Sequence, residues 1–62
     1  MNIPEACHAI ALETAKTFVS TNMPEYIHST GTTGYTRDMV EKYIAAYKQA
    51  EEIFQQNDAA KN

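Results

Sequence analysis

The chain has 62 residues and a single cysteine, so it holds one domain at most and no internal disulfide. Eight acidic side chains against five basic ones leave a net charge of −3, which disfavours a surface built to contact nucleic-acid phosphates. Chains this short bury only about 60% of their unfolded surface, so oligomerisation or docking on a partner is the expected aid to stability.

The segment MNIPEACHAI has no basic leader and no long apolar run, so it does not read as a secretory signal. No window approaches the roughly 18 consecutive apolar residues that span a bilayer. With one cysteine and neither signal, the expected location is the cytoplasm.

The spacing predicts a first helix over residues 4–20. Asn2 is the candidate N-cap, Pro4 suits the first turn and Glu5 complements the positive end of the helix dipole. At 100° per residue, Ile3, Cys7, Ile10, Ala11, Ala15, Phe18 and Val19 share one broad face. Glu5, Glu13, Lys16 and Ser20 fall opposite. The helix is amphipathic.

Residues 23–28 favour a short helical turn, with Asn22 as cap, Pro24 in the first turn and Gly31 as terminator. An extended stretch around Tyr26 to Ser29 is the alternative, favoured by the Thr- and Tyr-rich composition. Tyr26 and Ile27 are expected to pack down, and residues 29–33 to form a loop on either reading.

The second main helix is expected from Thr36, as N-cap, to Asn57, with residues 58–62 as a polar tail. Its apolar stripe runs through Met39, Val40, Tyr43, Ala46, Tyr47, Ala50, Ile53 and Phe54. Arg37/Glu41, Asp38/Lys42 and Lys48/Glu52 are i,i+4 pairs on its polar side.

The fold class that follows is all-α: an antiparallel two-helix hairpin over residues 1–57, pairing into a four-helix-bundle dimer. Val40, Tyr43, Tyr47, Ala50 and Phe54 are expected to meet Cys7, Ala11, Ala15 and Phe18, with Tyr26 or Tyr35 plugging one end. Leu12 and Val19 should project to one side. The small residues Ala46 and Ala50 should permit close helix approach, and the flank near Met39, Ala46 and Ile53, with the loop tyrosines, is left for another molecule.

Little in the chain suggests catalysis or metal binding. Cys7 and His8 are adjacent, about 100° apart on a helix, and no CxxC or HxxxH pair exists. Cys7 points to the helix seam, where a nucleophile would be shielded. The run from Ser29 to Gly34 lacks the lysine of a Walker loop and no strand precedes it. No cofactor and no metal are expected.

Four tyrosines are the most informative side chains, because a large ring with a polar tip suits half-buried rims. Tyr26, Tyr35, Met39, Tyr43, Ala46, Tyr47, Ile53 and Phe54 are the candidate interface. The expected function is that of a helical protein–protein interaction module, acting as a homodimer or as an adaptor on a protein partner. A small nucleic-acid-linked regulator ranks second, since the second helix has balanced charges and no basic recognition face. An enzyme ranks third.

Overall fold

The computed structural model describes residues 2–61, with side chains through 57. The chain forms α1 (Ile3–Thr21), the single turn α2 (Met23–Glu25), a π-helical turn (Tyr26–Thr30) and α3 (Gly31–Lys61). α1 and α3 pack side by side as an antiparallel, all-α hairpin. At 1.5 Å per residue the two helices run about 28 and 46 Å, so α3 extends beyond its partner. The molecule is a rod, 51 × 15 × 15 Å.

The start of α1 is set by its cap. Asn2 Oδ1 accepts the Glu5 amide at 3.1 Å, and the Asn2 carbonyl accepts the Ala6 amide at 3.0 Å. At the other end, the backbone amide and side-chain Nδ2 of Asn22 both donate to the Phe18 carbonyl, at 3.2 and 2.9 Å. That double contact closes α1 at Thr21, directly before α2, which opens at Met23 with Pro24 in its first turn.

The chain between the long helices is helical almost throughout. The expected turn at residues 23–28 is present as α2 and the π turn, and the extended alternative is not formed. Gly31 ends the turn as anticipated, its amide donating to the Tyr26 carbonyl. The expected loop at residues 29–33 is absent, however, and α3 begins at Gly31 with Thr36 already inside it. Tertiary packing accounts for the difference. Tyr26 is 4% exposed, stacks edge-on against Tyr35 with ring centroids 5.7 Å apart, and binds Asp38 one turn further on. Ile27, expected to pack down, is 72% exposed because the turn presents its neighbour inward instead.

Gly31 has φ 67° and ψ −152°, a conformation that in practice only glycine adopts. No atom lies within 4 Å of where its Cβ would be, so the requirement is purely one of backbone. Gly31→Ala is expected to lower unfolding stability by about 1–3 kcal/mol. Chemical synthesis supplies the control: D-alanine at the same position favours positive φ and should restore the wild-type thermal midpoint.

The hairpin's core is unusual for its small residues. Cys7, Ala11 and Ala15 are 0% exposed, Val19 2%, Ala50 7% and Ala46 9%. Val19, expected on the flank, therefore lies in the seam. Ala46 lies there too, in keeping with the close helix approach expected of Ala46 and Ala50 but not with its place on the flank left for another molecule. Val40 was expected on the inner line and is 51% exposed; Ile10 was expected on the buried face of α1 and is 46% exposed. Small side chains let two helix backbones approach closely, and the seam has turned toward them and away from the larger neighbours.

The predicted i,i+4 ion pairs do not form the contacts expected of them. Among the described residues, ion pairs within 4.0 Å are Glu13–Lys16 and Arg37–Asp38. Lys42 lies over the Phe18 ring instead, 4.4 Å from its centroid, and ties the two helices together. The helix expected to end at Asn57 continues in its backbone to Lys61, while the side chains of residues 58–61, and Asn62 entirely, lie outside the described residues.

Candidate functional site

Two apolar flanks and one end hollow are the surfaces that chemistry has to work with. On one flank, α1 contributes His8 and α3 contributes Tyr43, Ile44 and Tyr47. The His8 Nδ1 and the Tyr43 hydroxyl are hydrogen-bonded at 2.7 Å, and the rings meet edge-on at 5.6 Å. Tyr43 in turn lies 6.0 Å from Tyr47, centroid to centroid. Burial pushes the Tyr47 phenol above its ordinary pKa, and the neighbouring Cys7 thiol and Glu51 carboxylate push the same way. A shallow hollow of about 420 Å³ lies among Tyr43, Ile44, Tyr47 and Lys48.

The opposite flank is a groove of about 220 Å³ between Ile10 and Thr14 of α1 and Gln49, Ile53 and Phe54 of α3, floored by Ala46 and Ala50. Ile10 and Ile53 stand 46% and 55% exposed at its edges. The end hollow, about 520 Å³, is bounded by Met23, Tyr26, Ile27, Gly31, Thr32 and Tyr35.

The eight candidate interface residues therefore divide. Tyr43, Tyr47 and Phe54 are half-buried along the flanks, and Ile53 is exposed. Tyr35 and Met39 are half-buried, and Tyr26 and Ala46 are buried within the chain, where their surface is already covered. Sequence reasoning missed Ile10, Ile27 and Ile44 as outward-facing residues. The available signal was the cluster of alanines one step away on each helix, which marks the side where the backbones converge.

Beneath the end hollow sits a polar cluster. Tyr26 donates its hydroxyl to Asp38 Oδ2 at 2.8 Å, and Arg37 Nε donates to Asp38 Oδ1 at 3.2 Å. Burial, reinforced by the Asp38 charge, pushes the Tyr26 phenol up to about 12. The Tyr26 hydrogen bond, followed by Arg37, holds the Asp38 carboxyl below its usual value against the opposing effect of burial. The signs give two limbs of stability. Asp38 binds its proton less readily when folded, so its contribution is present above pH about 4 and lost as pH falls through the depressed folded pKa. Tyr26 holds its proton more readily when folded, so its contribution is present below pH about 10 and lost as pH rises toward the folded value. Denaturant titrations across pH should show Asp38→Asn flattening the acid limb and Tyr26→Phe flattening the alkaline one.

Cys7 is 0% exposed and sealed from any substrate. His8 and Tyr43 meet on the exposed surface. No cluster of three or more His, Cys, Asp or Glu suited to a metal occurs among the described residues, and no helix there is long and apolar enough to cross a membrane. What the surface offers is apolar area framed by charge. No protein-family model, no curated protein and no solved structure matches this chain.

Proposed function

We propose that this protein is a small helical protein–protein interaction module, acting as a homodimer or, failing a second copy, as an adaptor on a larger protein. One observation carries the reading: the distribution of side-chain size between inside and outside. The seam is lined by alanines, one cysteine and one valine, while Ile10, Ile27, Val40, Ile44 and Ile53 are 46% to 72% exposed. Isoleucine and valine are among the side chains most often fully buried, so five of them exposed on a chain this short leave apolar area without a cover. Exposed aliphatics grouped on helix flanks mark surfaces that pack against another protein.

Sedimentation equilibrium of the wild type, Ile44→Glu and Ile53→Glu tests this. Dimer mass is expected for the wild type at tens of micromolar. One of the two glutamate variants should fall to monomer mass while keeping its far-UV helical signal. A wild type that stays a folded monomer rejects the homodimer, and one that also binds no hydrophobic dye rejects the module reading in both forms.

A further inference from the structure

The two flanks differ in their charges, and that difference identifies an occupant. Along α3, Arg37, Val40, Ile44, Tyr47 and Glu51 follow one another at alternating steps of three and four residues, the spacing of a stripe that faces another helix. Val40 is 51% and Ile44 48% exposed, Tyr47 is half-buried, and the charged ends are exposed. Glu41 and Lys48 are exposed along the same edge. Read from one end the stripe is positive, apolar, negative. Reversed, it is its own complement.

We infer that this stripe docks a second copy of the same chain, α3 against α3 in antiparallel register, with the two-fold axis passing beside Ile44. This rests on the interaction-module reading and narrows it to one face and one partner. In that register Arg37 of one copy lies beside Glu51 of the other, and Glu41 lies beside Lys48 of the other. The symmetry forms each pair twice. Parallel pairing would instead set Arg37 against Arg37 and Glu51 against Glu51, which like-charge repulsion disfavours. The hollow among Tyr43, Ile44, Tyr47 and Lys48 gives the second copy's Ile44 side chain a place to enter. The opposite groove, lined by Ile10, Thr14, Gln49, Ile53 and Phe54 over Ala46 and Ala50, has no charged side chain in that lining.

Charge reversal separates the registers. Arg37 already holds Asp38 through Nε, so the exposed Glu41 and Lys48 are the cleaner pair to alter. Glu41→Lys and Lys48→Glu singly should each weaken dimerisation about tenfold at low salt, because each turns two attractions into repulsions. The double variant should restore wild-type affinity. It keeps any like-charge crowding that the singles create within α3, so recovery can come only from between copies. All three differences should fade in 0.5 M salt, where the Debye length is about 4 Å. A wild-type dimer unaffected by the single reversals, or one whose loss the double variant does not recover, overturns this register. So does a dimer broken by Ile53→Glu and kept by Ile44→Glu. Each of those outcomes leaves the interaction reading standing, whereas a monomeric wild type removes the homodimer as well.

Discussion

Gly34→Ala is expected to remove a large share of the protein's stability, although Gly34 lies inside a helix where alanine is ordinarily preferred. Glycine within a helix costs about 1 kcal/mol relative to alanine, so propensity alone predicts a gain. Space decides otherwise. The chain reverses at Gly31 and brings Thr30 down onto Gly34, and a methyl group there would overlap both Cβ and Oγ1 of Thr30. The Cβ is fixed to the backbone and cannot rotate away, so the π turn would have to lift off α3. Tyr26 and its bond to Asp38 would go with it. Overpacking of this kind costs about 1–3 kcal/mol, a large share of the roughly 3–5 kcal/mol that a core this size supplies.

The choice of second substitution makes the test specific. Thr30→Ala removes the hydroxyl and keeps the offending Cβ, so it should not rescue Gly34→Ala. Thr30→Gly removes both and should restore cooperative melting, at the cost of a looser turn. Thr30→Val in the wild type serves as the control. Thr30 Oγ1 is buried without a hydrogen-bond partner among the described residues, so replacing it with a methyl should cost nothing. If alanine at 34 melts like the wild type, the turn does not rest on α3 as described.

The same contact explains where the sequence was legible and where it was not. α1 could be read from local chemistry, because Asn2, Pro4 and Glu5 act within a few residues of themselves and the apolar repeat is regular. The glycine stop at 31 was equally local. Residues 29–35 were not legible, because Ser, Thr and Gly have poor helix propensity and read as a loop. Their helical state is held by Tyr26 against Tyr35 and Asp38 and by Gly34 beneath Thr30, contacts that only the closed hairpin makes. The stripe on the second helix was legible as a stripe but not in its rotation. Hydrophobicity placed its centre between Val40 and Tyr47, weighting large residues most. Closeness of approach placed it on Ala46 and Ala50, and the large residues went to the flanks. The candidate interface shows the same rotation: Tyr26 and Ala46 are covered within the chain, and Ile44, outside the stripe as read from the sequence, is 48% exposed.

A leucine in the alanine seam should therefore be more damaging than a leucine almost anywhere else on α1. Ala15 is 0% exposed, and Ala15→Leu adds three carbons where two helices already meet through small side chains. The helices must separate or the side chain must leave its preferred rotamer, for a loss of about 1–3 kcal/mol. Ala9, on the exposed side of the same helix, is the matched control, and Ala9→Leu should leave the melting temperature nearly unchanged. Equal melting of the two variants would mean that the helices do not approach as closely as the seam requires. The comparison also bears on self-association. On the proposed dimer the hairpin draws part of its stability from the second copy, so its melting temperature should rise with protein concentration. In Ala15→Leu the monomer's share is smaller and the association term becomes a larger fraction of the total. Its melting temperature should then climb more steeply with concentration than that of the wild type, provided that the outer stripe of α3 remains intact. Adding Ile44→Glu to Ala15→Leu removes that support, and the double variant should melt below either single variant and independently of concentration.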